Sequence, residues 1–121
     1  MINTIQSVND LYLKEINQKI GWGVFAGNDI KKGDIVENCY SIIVNDKWET
    51  YKKYIFYLNN GTDALIPLGF GCIYNHSETP NLEWKQIDDR IIQFYAITDI
   101  ISGDELRHNY GPNYDYSKNL I

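Results

Sequence analysis

The residues of this chain best suited to chemistry are Asn75-His76, a late Tyr110 and a glycine-flanked Trp22. Gly21-Trp22-Gly23 marks a tight loop in which backbone groups can approach a ligand closely. Asn75 and His76 offer hydrogen-bond donors and acceptors, and Tyr110 places a hydroxyl on an aromatic ring. No nucleophile with its base accompanies them. A metal-dependent oxygenase is disfavoured because His76 and His108 are the only histidines, which makes a triad of two His and one carboxylate hard to complete. Residues of these types bind, orient and desolvate. They suit a transfer accelerated by positioning and by a site shaped to the transition state, with no covalent intermediate.

Their order along the chain is more specific than any one of them. Gly21-Trp22-Gly23-Val24-Phe25-Ala26 comes first, followed by Gly69-Phe70-Gly71-Cys72-Ile73-Tyr74-Asn75-His76-Ser77 and Thr79-Pro80-Asn81. Gly103-Asp104-Glu105-Leu106 then leads into Asn109-Tyr110-Gly111. This ordered set resembles the site of SET-domain protein lysine methyltransferases, in particular the small stand-alone viral and bacterial type, from about Gly21 to Tyr114. The resemblance implies S-adenosyl-L-methionine as cofactor and a lysine side chain in a protein as methyl acceptor, with a histone or other basic tail as the expected substrate. It implies that Gly21, Trp22, Gly23, Asn75, His76, Tyr110 and Tyr114 bind the cofactor, Asn75 at its methionine end and His76 supporting the adenine through its backbone. It makes Tyr110 the catalytic hydroxyl, and Tyr54, Trp84 and His108 the lining of the lysine channel.

Methyl transfer to lysine asks for such a lining. A free lysine amine has a pKa of about 10.4 and is almost wholly protonated at neutral pH. Desolvation and a nearby sulfonium both lower that value, and aromatic faces tolerate the cationic forms. Three features depart from the family's pattern. Cys39 stands where many members carry a tyrosine, His108 stands where many carry Phe or Tyr, and the flanking zinc-bound cysteine clusters are missing. A SET-like peptide-binding module without catalysis is the competing reading, and a methyltransferase acting on a small molecule is a third.

The elements that must position these residues read mostly as strands. Short runs rich in Ile, Val, Tyr and Phe cover Ser41–Val44, Ala64–Leu68, Leu82–Lys85 and Arg90–Ile97. In the last run Ile92, Phe94 and Ala96 fall on one face, with Gln93 and Tyr95 on the other. Trp48, Tyr51, Ile55 and Leu58 recur at helical spacing, and Asp46 with Glu49 resembles a capping box, which predicts one short helix. An internal echo is also present: Phe25-Ala26, Ile30 and Gly33-Asp34 are matched by Tyr95-Ala96, Ile100 and Gly103-Asp104. The resemblance adds a mostly β fold of the β-clip type, with several small sheets and a C-terminal segment threaded as a pseudoknot.

With 121 residues the chain is expected to form one domain spanning residues 1–121, and its 44% hydrophobic content allows an ordinary core. The net charge of −5 opposes direct binding to nucleic acid and favours a basic peptide. Cys39 and Cys72 read as small buried residues in a reducing compartment. The sequence shows no signal-like segment and no apolar run of the roughly 18 residues that a membrane span needs, so a soluble intracellular protein without membrane contact is expected. A homodimer stays open.

Overall fold

The computed structural model describes residues 9–44, 56–57 and 64–111. Within them the chain forms β1 (Leu11–Asn17), β2 (Gly21–Ala26), β3 (Ile35–Val44), β4 (Phe56–Tyr57), β5 (Ala64–Pro67), β6 (Asn75–His76), β7 (Leu82–Asp88), β8 (Ile91–Ala96) and β9 (Glu105–His108). One sheet has the order β1-β2-β9-β6 and the other β4-β5-β3-β8-β7. The core draws on both: Val24 and Leu106 from the first, and Leu65, Leu82, Ile92, Phe94 and Ala96 from the second, are buried together.

Each run expected to be a strand contains one. The expected faces of β8 hold for Ile92, Phe94 and Ala96, which are fully buried. Gln93, on the opposite face, is buried as well. β8 is flanked by β3 and β7, and the Gln93 amide donates to Asn38 Oδ1 at 3.0 Å, so the polar group is satisfied across the ladder. The four residues whose spacing predicted a helix lie outside the described residues. Inside that stretch, Phe56–Tyr57 is strand, paired antiparallel with Leu65 and Ala64.

The internal echo is a reciprocal clasp. Ile30 and Ile100 exchange backbone hydrogen bonds at 2.8 and 2.7 Å. Gly33 N–H donates to the Ala96 carbonyl of the other copy at 2.8 Å, and Gly103 N–H donates to that of Ala26 at 2.7 Å. The Asp29 carboxylate accepts from Ser102 N–H, and its counterpart Asp99 accepts from Lys32 N–H. The turns Lys31–Asp34 and Ile101–Asp104 are each closed by a backbone bond of 2.9 Å. Gly33 and Gly103, at φ 93° and 98°, supply the left-handed conformation those turns require. The clasp sets the point at which the chain enters β9, which carries His108 and leads to Tyr110.

β9 runs between β2 and β6, antiparallel to the first and parallel to the second. The segment after β6 follows it: Ser77 N–H donates to the His108 carbonyl and Asn81 N–H to that of Arg107. The Asn81 side chain completes the bracket, donating to the Glu105 carbonyl at 2.9 Å and accepting from Arg107 N–H at 2.9 Å. Thus Asn81 holds the loop, in the place where the Pro-Asn step of the motif leaves it.

Candidate active site

Asn75 and His76 are fixed by pairing with Arg107 and His108 across the parallel β6–β9 ladder. This pairing brings the middle of the chain onto its C-terminal segment. The Asn75 amide donates to the Trp22 carbonyl at 3.2 Å and to Glu105 Oε2 at 2.8 Å, which commits its nitrogen and leaves Oδ1 as an acceptor. Gly23 is where these groups meet. A Cβ there would lie 2.6 Å from Glu105 Oε2 and 3.1 Å from Asn75 Nδ2. Its absence admits protein atoms, so Gly23 makes room for the Asn75–Glu105 pair. Gly21 serves the turn through its φ of 84°, and the Trp22 side chain is exposed. Gly21, Trp22, Gly23 and Asn75 therefore form one corner.

His76 and Tyr110 form the next. His76 Nδ1 accepts from Tyr110 N–H at 3.1 Å, and the two rings lie 5.2 Å apart. The Tyr110 hydroxyl donates to the Tyr74 carbonyl at 2.5 Å, so both ends of Tyr110 are held by the Tyr74–His76 segment. Beyond it stands an aromatic cluster. The His108 ring is 4.9 Å from Tyr110, 5.5 Å from Phe94 and 5.6 Å from Phe56. Trp84 joins through Phe56, edge to face at 5.0 Å.

His108 is only 4% exposed. Its Nδ1 is buried without a hydrogen-bond partner among the described residues. Burial is the main cause of a pKa lowered to about 4; the neighbouring Asn109 backbone partly offsets it, and His76 adds to it. His108 is therefore a neutral ring at physiological pH. Cys39 is buried in the core, and its thiol pKa is pushed far up by burial and by the charge of Glu37. It carries none of the exposed, electropositive character of a reactive cysteine.

Of the residues singled out in the sequence, the fold brings Trp84, His108 and Tyr110 into one aromatic group beside His76, next to the Gly21–Gly23 and Asn75 corner. Tyr54 and Tyr114 lie outside the described residues. Sequence reasoning missed the roles of Glu105, Phe56 and Tyr74. Glu105 and Tyr74 were inside quoted motifs but signal no partner by themselves, and Phe56 lies within the stretch whose spacing predicted a helix without being one of the residues that carried it.

Residues 21–111 match the SET domain family, and the chain belongs to it. It is 29% identical to the variant-silencing SET domain-containing protein of Plasmodium falciparum over 88% of this chain and 5% of that protein. It is 28% identical to the H3 lysine-37-specific histone-lysine N-methyltransferase of Schizosaccharomyces pombe over 84% of this chain and 73% of that enzyme. Among solved structures, a P. falciparum protein assigned as a histone methyltransferase superposes with a TM-score of 0.73 at 29% identity, covering 88% of this chain and 96% of the other. Polycomb repressive complex 2 of Chaetomium thermophilum, solved with S-adenosylmethionine bound, shares the fold with a TM-score of 0.72 at 24% identity, covering 93% of this chain and 16% of the other.

Proposed function

We propose that this protein is an S-adenosylmethionine-dependent methyltransferase acting on the side-chain amine of lysine in a protein, with a histone or other basic tail as substrate. The observation that carries the reading is the placement of the Tyr110 hydroxyl. It is pinned to the Tyr74 carbonyl, beside the Asn75 corner and against the neutral ring of His108.

The donor set at that corner fits the cofactor. Asn75 Oδ1 and the Glu105 carboxylate are acceptors suited to an α-ammonium, and the Tyr110 and His76 rings offer faces to a cation. Gly21, Trp22 and Gly23 would border the methionine end, the His76 backbone would support the adenine, and Tyr114 would close the site from the tail. When bound, S-adenosylmethionine supplies a methyl group on a positively charged sulfur that departs as a neutral thioether.

The rest of the work falls to the chain. Trp84, His108 and Tyr110, with Tyr54 from the segment before β4, would line the channel that strips water from the lysine. Desolvation lowers the amine pKa and frees the nitrogen lone pair. Because its proton is given to the Tyr74 carbonyl, the Tyr110 hydroxyl presents its oxygen as acceptor to the amine N–H and aligns the nitrogen. Because His108 is neutral, it adds no positive charge to repel a cationic substrate.

Two measurements test the reading. S-adenosylmethionine should raise the melting temperature, and Asn75→Ala should remove most of that rise without unfolding the protein. Labelled cofactor should also transfer its methyl group to histones or to a lysate of the source organism, with mass spectrometry placing the label on lysine. Peptide binding without cofactor binding at millimolar concentration would instead establish a non-catalytic module.

A further inference from the structure

Glu37 is a half-buried carboxylate to which the reaction described above gives no task. It stands on β3, in the second sheet. Its Oε1 accepts the Tyr74 hydroxyl at 2.7 Å and its Oε2 accepts Phe70 N–H at 3.0 Å. The Cys39 thiol also leans toward it. Gly69, at φ 74°, has no room for a Cβ because Glu37 Oε2 occupies that space, so the Gly69–Gly71 turn is wrapped closely around the carboxylate. Burial pushes the Glu37 carboxyl above its usual range, against the pull of these three donors.

An apolar side chain could fill this volume without the cost of burying a carboxylate. What it could not do is accept two directed hydrogen bonds. One of them holds Tyr74, and Tyr74 is tied at both ends: its hydroxyl to Glu37, and its backbone carbonyl to the Tyr110 hydroxyl. Between those ends the ring is 1% exposed and packs 4.7 Å from Phe94 and 6.4 Å from His108. The packed ring has no room to turn alone, so a displacement of its hydroxyl end is passed to the Tyr74 backbone and carries the Tyr110 acceptor with it.

We propose that Glu37 is a positioning residue for methyl transfer: by holding the Tyr74 hydroxyl, it fixes the carbonyl that aims the Tyr110 hydroxyl at the substrate amine. This rests on the reading of Tyr110 given above. The path runs Glu37, Tyr74, Tyr110, and only the last of these meets the amine.

The test uses Glu37→Gln and Tyr74→Phe, which break the same hydrogen bond from its two sides, each alone and combined with Tyr110→Phe. Tyr74→Phe leaves the Glu37–Phe70 bond in place and serves if Glu37→Gln fails to fold. In protein labelled with ¹³C at tyrosine Cζ, the Tyr110 resonance, assigned by its loss in Tyr110→Phe, should move in both variants. Turnover (kcat) should fall about fivefold or more, the effect of one misdirected hydrogen bond, with peptide KM and cofactor Kd changed less than about twofold. In the Tyr110→Phe background the same substitutions should add less than about twofold, because the hydroxyl they aim is gone.

A Tyr110 resonance that stays in place in both variants would overturn the proposal. Equal losses with and without the Tyr110 hydroxyl would also overturn it, showing Glu37 and Tyr74 to be packing alone. The resonance requires no activity, so it decides the matter even if the wild type transfers no methyl group, a result that would count against the proposed function instead.

Discussion

His108 places a polar ring among apolar ones, with one nitrogen buried and without a hydrogen-bond partner among the described residues. Two predictions follow from that single residue. Its lowered pKa means that the unfolded chain takes up a proton first as pH falls below the ordinary value of 6.5, while the native state resists until about 4. Stability is therefore unaffected above about pH 6.5 and is lost progressively toward pH 4, by on the order of 3 kcal/mol. Glu37, raised from 4.5, acts in the opposite sense, its contribution being lost as pH rises. The comparison that isolates His108 is thus a urea titration at pH 7 and pH 4.5 for wild type and His108→Phe, with a smaller pH effect expected in the variant. The second prediction concerns products. A polar group beside the amine can hold a partly methylated nitrogen out of line, whereas an apolar ring lets it turn and react again. His108→Phe should change the ratio of mono-, di- and trimethyl-lysine, read by mass spectrometry, more than the first-methyl rate. An unchanged ratio would place His108 outside the channel.

Elements decide which glycines matter, and for what. Gly33 and Gly103 sit at matching points of the clasp, both at positive φ and with open space where a Cβ would be. Gly33→Ala and Gly103→Ala should each cost about 1–2 kcal/mol through backbone strain alone, by similar amounts, seen as equal shifts of the urea midpoint. Gly23 is different, because its neighbours are the Glu105 carboxylate and the Asn75 amide. Gly23→Ala should push Glu105 aside, release Asn75 and weaken S-adenosylmethionine binding by about tenfold or more in calorimetry, with the cooperative unfolding transition kept. The echo that marks the clasp was legible because turn chemistry is local: Gly-Asp after two residues, with an Ile before them. β5, β7, β8 and the end of β3 were legible from their runs of β-branched and aromatic residues, apart from the burial of Gln93, which depends on having a strand on each side; β1, β6 and β9 were not among the expected runs. Phe56 was not legible as strand, because it lies inside a stretch whose other apolar residues recur at helical spacing and its partner strand β5 is remote from that pattern. Glu105 and Glu37 were silent for a related reason. A carboxylate in sequence reads as solvated surface, and only the packing of Gly23 and Gly69 against them reveals what they hold.

At the scale of the whole molecule, the fold joins parts of the chain that are far apart in sequence: the Gly21 loop, the Asn75-His76 step and the Tyr110 segment meet because β9 lies between β2 and β6. The ordered motifs made that convergence readable through family resemblance, since no local pattern encodes it. Among the described residues no helix is long and apolar enough to cross a membrane. The net charge of −5 should draw a basic peptide over a distance limited by screening. Raising salt from about 0.05 to 0.5 M should therefore increase the peptide KM several-fold while leaving cofactor Kd nearly constant. All of this converges on one hydroxyl. The most direct measurement is the rate of labelled methyl transfer to a lysine peptide by wild type and by Tyr110→Phe, at saturating cofactor and with melting curves run alongside. The variant should keep the fold and most of its cofactor affinity and lose at least about tenfold in rate, as expected when a hydrogen bond made mainly in the transition state is removed. Wild-type activity in Tyr110→Phe would contradict the account.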